Sequence, residues 1–154
     1  MAVAERSRAE KVCVGFGTFY VVLGIVGFFF TGLGGARFFG LDPHQAIFGL
    51  ITLNGMHNVA HIGFGAILIV AAAVSAASPG RNDDVARGAL IGLGTIYLIA
   101  TIVGFAGAFT EFLNIPTGVR GIPDNLFHAV SAAFLYAYGF SRAEAGSRTA
   151  GAAA

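Results

Sequence analysis

The sequence predicts an all-α integral membrane protein, a four-helix bundle that crosses the bilayer up, down, up and down. Hydrophobic residues make up 56% of the 154 residues and charged residues only 11%, too little polar surface for a water-soluble domain of this size. Segment 15–28, GFGTFYVVLGIVGF, recurs at 92–105 as GLGTIYLIATIVGF with eight of fourteen positions identical. The bundle is therefore expected to consist of two helical-hairpin repeats.

Four apolar runs are long enough to cross the hydrocarbon core, which takes about 20 helical residues. With their short connections they fill the chain, so we expect one membrane domain over 1–154 with short flexible tails. The first run follows a basic start like that of a signal peptide, but its copy lies in mid-chain, so we expect it to be retained. The predicted spans are 12–31, 54–77, 88–110 and 122–140.

Each copy of the repeated segment is followed by Asn-x-x-His at the start of another apolar run, first at Asn58 and His61, then at Asn125 and His128. Repeat one thus covers about 12–77 and repeat two about 88–140, as parallel repeats. The offset between matched residues falls from 77 to 67, which places ten extra residues in the first outer loop. There the sequence predicts a short interfacial helix over 46–53, with Asp42-Pro43 at its start.

Glycines inside the spans predict close contacts between helices, because small residues let backbones approach in lipid. The chain has 23 glycines. The predicted packing residues are Gly24 and Gly27 in span one, Gly63 and Gly65 in span two, and the pairs Gly88/Gly92 and Ala100/Gly104 in span three.

Basic residues predict the orientation, since cytoplasmic loops carry an excess of Lys and Arg. Seven basic residues lie on the side that holds both termini, and only Arg37 and Arg120 lie on the other. We expect a multi-pass protein of the bacterial plasma membrane with cytoplasmic N- and C-termini. The seven are Arg6, Arg8, Lys11, Arg81, Arg87, Arg142 and Arg148.

Spans two and four both begin with a stripe of polar residues in their outer half. Polar groups at membrane depth are costly unless they turn inward and find partners, so the two stripes should face each other. This predicts that His61 approaches His128, Asn58 approaches Asn125, and His57 approaches Asp124. The complete candidate set is Asn54, His57, Asn58, His61, Asp124, Asn125, His128 and Ser131.

Two interpretations of this set stay open. In the first, Asn54 and Asp124 cap their helices and the amide and imidazole groups hydrogen-bond across the bundle. In the second, histidines from facing helices bind haem or a metal ion. The metal candidates are His57, His61 and His128, with Asp124 or Glu111 as a further ligand. The four tyrosines are expected at the membrane interfaces.

The His-Asn-x-x-His start of span two and the Asp-Asn-x-x-His start of span four resemble an uncharacterised family of four-span membrane proteins common in actinobacteria, domain of unknown function 4383. The resemblance covers about residues 12–140. It implies a four-span fold in the plasma membrane and brings no assigned reaction.

No nucleotide-binding, hydrolase or carboxylate-pair template occurs in the sequence, so a non-enzymatic role is favoured. We expect an accessory or assembly subunit that contacts the lipid bilayer and a larger membrane protein, or forms a homo-oligomer, and does not bind nucleic acid. One alternative is a redox protein that binds haem, a metal ion or a quinone between His61 and His128. A small-solute transporter or channel is the second alternative.

Overall fold

The computed structural model describes residues 5–32, 38–40, 46–78, 82–107, 110–115 and 117–141, and this part of the chain is mostly helical. Three of its helices, α1, α2 and α3, are long and apolar enough to cross a membrane. The elements in order are α1 (Arg8–Thr31), β1 (Ala46–Ile47), β2 (Ile51–Thr52), α2 (Gly55–Ala77), α3 (Asp84–Ala106), α4 (Thr110–Leu113) and α5 (Gly118–Gly139).

The helix starts follow from local capping. Ser7 and Glu10 form a capping box before α1, each side chain accepting from the other's backbone N–H, an arrangement that satisfies two free donors. The Asn54 side chain caps α2 by accepting from the backbone N–H of His57, as the sequence predicts. The helices α3 and α5 each begin four residues before their predicted starts at 88 and 122.

The helix predicted over 46–53 is wrong, because this segment forms an antiparallel two-stranded hairpin. Ala46 pairs with Thr52 and Ile47 with Ile51. Phe48 and Gly49 have φ of 53° and 71°, left-handed values that end a helix and suit a tight strand connection. The β-branched residues on either side favour strands. Asp42 and Pro43 lie outside the described residues.

The helices pack as two antiparallel pairs, α1 with α2 and α3 with α5. In the first pair the backbones nearly touch: a Cβ on Gly17 would lie 2.7 Å from the carbonyl oxygen of Gly65. The predicted packing role is confirmed for Gly24, Gly27, Gly65 and Gly104, each of which faces a neighbouring helix. Gly63, Gly88 and Gly92 do not pack against another helix of this chain, because no described atom lies within 4 Å of a Cβ position.

Two tyrosines lie at the centre of the bundle and not at its interfaces, which corrects the sequence-based expectation for them. Tyr20 and Tyr97 are 0% and 3% exposed, and their ring centroids are 5.3 Å apart. Tyr20 points to α5, where its hydroxyl lies 3.0 Å from Oγ of Ser131. The two rings therefore pack against polar residues of α2 and α5, Tyr20 against His61 and Tyr97 against His128.

Candidate functional site

Several predicted site residues hold the loops at the end of the bundle where α2 and α5 begin. Asn54 donates to the carbonyl of Phe112 over 3.0 Å, and Asn114 donates to the carbonyl of Leu53 over 2.7 Å. The Nδ1 atom of His57 lies 2.8 Å from the carbonyl oxygen of Leu113. These bonds fix α4 and its following turn onto the start of α2.

Asp124 fixes the hairpin to α5. Its two carboxylate oxygens accept from the backbone N–H and the hydroxyl of Thr52, over 3.0 and 2.9 Å. The prediction that Asp124 caps the fourth helix is wrong, because α5 already begins at Gly118. Its partner is Thr52, where the sequence predicted His57.

The two asparagines pack within their own helix pairs, where the sequence predicted contact with each other. Asn58 donates to Oγ1 of Thr31 over 2.8 Å, and its Oδ1 lies against Gly27. Asn125 places its Oδ1 against Gly104 in the same way. Neither oxygen has a conventional hydrogen-bond partner among the described residues, so a glycine Cα–H is the donor that each one faces.

The three histidines of α2 and α5 come together, and we call His57, His61 and His128 the histidine cluster. The ring centroid of His57 lies 4.5 Å from that of His61 and 5.8 Å from that of His128. Tyr20 packs edge-on against His61 at 5.0 Å, and Tyr97 lies 5.5 Å from His128. Histidines from the two helices therefore lie close together, and His57 contacts both His61 and His128.

Beside this cluster lies a cavity of about 200 Å³, which we call the histidine cavity. Its wall is almost entirely apolar, apart from the cluster and Tyr97. Ile96 and Phe112 at its rim are 44% and 49% exposed, so it opens between helices toward the outside of the bundle. Its lining residues are Met56, His57, Ala60, His61, Phe64, Ile96, Tyr97, Ala100, Phe112, Leu113 and His128.

Four polar atoms around the cavity are buried and make no hydrogen bond within the described part of the chain. They are both ring nitrogens of His61, Nδ1 of His128 and the hydroxyl of Tyr97. A buried polar group without a partner costs about 1–3 kcal/mol, and a neutral imidazole offers one donor and one acceptor. A molecule in the cavity that both accepts and donates would remove this cost.

The same residues do not suit the metal or haem centre that the sequence allowed. The described residues contain no group of three His, Cys, Asp or Glu placed to hold a metal ion. The Glu111 side chain, a predicted further ligand, lies outside the described side chains. A tetrapyrrole is several times larger than a single ring, so a cavity of about 200 Å³ does not fit haem.

Sequence reasoning missed Tyr20, Tyr97 and the residues that shape the cavity. The signal for Tyr20 is its place in a buried stripe of α1 that recurs every three or four residues, the spacing of one helix face. The stripe consists of Cys13, Gly17, Tyr20, Gly24, Gly27 and Thr31. Nothing in the sequence alone marks Ala60 as the wall of a cavity.

Comparison with known families gives a match whose range includes every element except the opening residues of α1. The family described as Domain of unknown function (DUF4383) matches residues 11–141. No curated protein and no solved structure matches the chain. The chain therefore belongs to the DUF4383 family.

Proposed function

We propose that this chain is a four-span membrane protein that binds a small ligand in the histidine cavity. Its fourth span is α5, whose mean hydropathy is lowered by polar residues that are in fact turned inward. Asp124, Asn125 and His128 are at most 3% exposed. The outer face of α5 is apolar and exposed, as lipid contact requires, at Ile122, Leu126, Val130 and Phe134.

Four spans, together with the distribution of basic residues, favour a cytoplasmic location for both termini. A green fluorescent protein fused after the C-terminus should therefore fluoresce in bacterial cells, and an alkaline phosphatase fused there should be inactive. If only α1, α2 and α3 crossed the membrane, the termini would lie on opposite sides. With a cytoplasmic N-terminus, an active phosphatase fusion would then exclude α5 as a span.

The observation that carries ligand binding is the set of buried, unpartnered polar atoms at an open cavity. In the described part of the protein most other polar side chains of this end are matched, as Asn54 and Asp124 illustrate. The amide oxygens of Asn58 and Asn125 face glycines, whereas the unpartnered atoms of His61, His128 and Tyr97 all belong to residues that line the same cavity. Unmatched groups gathered at one cavity are typical of a binding site whose ligand supplies the partners.

Ligand binding is testable by extracting the full chain, purified in mild detergent from bacterial membranes, and analysing the extract by mass spectrometry. We expect a small molecule in about stoichiometric amount, lost from Ala60→Phe, whose larger side chain fills the cavity. Val59→Phe is the matched control, because Val59 is on the same helix and 42% exposed. Equal amounts of the molecule in Ala60→Phe and wild type would contradict binding in this cavity.

A role as an accessory subunit is the second candidate, and exposed glycines favour it. Gly88 and Gly92 lie on one face of α3 and have no described neighbour within 4 Å. Glycines on a lipid-facing helix allow close contact with another membrane helix. In the same preparation, a protein that co-purifies with wild type and is lost from Gly92→Leu would support this role.

A further inference from the structure

The two halves of the bundle differ at the position of the histidine cavity. Residues of α1 match those of α3 at an offset of 77, and residues of α2 match those of α5 at an offset of 67. By these offsets Tyr97 corresponds to Tyr20, and Ala60 corresponds to Phe127. The surroundings of the two central tyrosines are thus directly comparable.

Around Tyr20 the space is filled by the protein's own side chains. The ring centroid of Phe127 lies 6.4 Å from that of Tyr20 and 6.4 Å from that of Phe19. The corresponding residues around Tyr97 are smaller: Ala60 matches Phe127, Ile96 matches Phe19, and Ala100 matches Leu23. All three smaller residues line the cavity, so the cavity occupies the place that a phenyl ring fills in the other half.

The two tyrosine hydroxyls differ in a matching way. The hydroxyl of Tyr20 lies 3.0 Å from Oγ of Ser131. The residue that corresponds to Ser131 is Phe64, whose ring packs at 6.2 Å against Tyr97 and offers no oxygen. Phe64 therefore supplies no counterpart of the Ser131 oxygen, and the Tyr97 hydroxyl faces Tyr20 without a close hydrogen bond among the described residues.

We propose that the histidine cavity binds a single six-membered ring that carries a hydroxyl or carbonyl oxygen. The ring takes the place that Phe127 has in the other half, and the oxygen pairs with the Tyr97 hydroxyl, beside the imidazoles of the cluster. A cavity of about 150 Å³ holds benzene, so about 200 Å³ accommodates a ring with a small substituent. This assignment rests on the proposed ligand-binding function and names its ligand class.

Such a ring has two sources, a small aromatic molecule from water or the head group of a molecule dissolved in the bilayer. The exposed rim at Ile96 and Phe112 leaves room for a hydrocarbon tail to extend outward. Para-nonylphenol tests the second source, because its tail would have to pass this rim. If para-nonylphenol does not bind but a phenol without a hydrocarbon tail does, the site binds small aromatic molecules from water.

The test is a fluorine NMR titration of the full chain in detergent micelles with para-fluorophenol and with para-fluorotoluene, in which a methyl group replaces the hydroxyl. After subtraction of partition into empty micelles, wild type should bind the phenol about ten-fold more tightly, equivalent to about 1.4 kcal/mol. Ala60→Phe should bind neither probe, and Val59→Phe should match wild type. Tyr97→Phe should retain ring binding with a reduced preference for the phenol.

Three other results of the titration would contradict the oxygen assignment, the ring assignment or ligand binding as a whole. Equal affinity for the two probes, abolished by Ala60→Phe, overturns the oxygen assignment and leaves ligand binding in this cavity intact. Binding of neither probe, with a co-purified molecule still lost from Ala60→Phe, overturns the ring assignment alone. Binding of neither probe together with no co-purified molecule overturns both proposals.

Discussion

Gly65→Ala should destabilise the protein by about 1–3 kcal/mol, the usual cost of overpacking a close contact. A Cβ at Gly65 would overlap the carbonyl oxygen of Gly17 and lie 2.8 Å from the backbone nitrogen of Val21. These are backbone atoms of α1, so no side-chain rotation can relieve the overlap. To accommodate the methyl group, α1 and α2 would have to move apart where their backbones approach most closely.

Gly63→Ala is the matched control on the same helix. No described atom lies within 4 Å of its Cβ position, and alanine favours a helix by about 1 kcal/mol over glycine. Its free energy of unfolding should therefore be unchanged or higher. Reversible unfolding of both variants in mixed detergent micelles, followed by circular dichroism, measures the difference. Equal stability of the two variants would contradict the close approach of α1 and α2.

The long helices could be predicted from the sequence because each depends on local composition and length. The ends at Thr31 and Ala77 are the predicted ends, and Asn54 caps α2 as its residue type suggests. The hairpin over Ala46–Thr52 could not be predicted in this way. Its apolar spacing fits either a helix or strands, and the contact of Thr52 with Asp124 across 72 positions of chain selects the strands.

The candidate site was predicted in its residue types and only partly in its partners. All eight predicted residues are buried at one end or in the core of the bundle. Several of these side chains form hydrogen bonds only because α4 and the hairpin bring carbonyl and hydroxyl partners from distant parts of the chain. Periodicity places a side chain on a helix face but does not say which loop covers that face. The unpartnered state of His61 therefore follows only from the structure.

A double-mutant cycle on Gly27 and Asn58 should show strong coupling. Gly27→Ala alone should cost about 2–4 kcal/mol, because its Cβ overlaps Oδ1 of Asn58 and would displace the amide from Thr31. Asn58→Ala alone should cost about 1–3 kcal/mol through the lost hydrogen bond and the space left behind. In the double variant the methyl group introduced by Gly27→Ala occupies that space. Its cost should therefore be less than the sum by about 1 kcal/mol or more.

The same cycle on Gly104 and Asn125 tests whether the contact between asparagine and glycine belongs to a framework that both halves share or is particular to the first half. If it belongs to the duplicated framework, both cycles should give coupling energies of the same sign and similar size, since both oxygens lie against a glycine in the same way. Additive effects in the second pair would contradict this equivalence. Similar coupling would also strengthen the comparison of Ala60 with Phe127, because it would show that the two halves share one framework. The histidine cavity would then be a local departure from that framework, which is the pattern expected where one half has been specialised to bind a ligand.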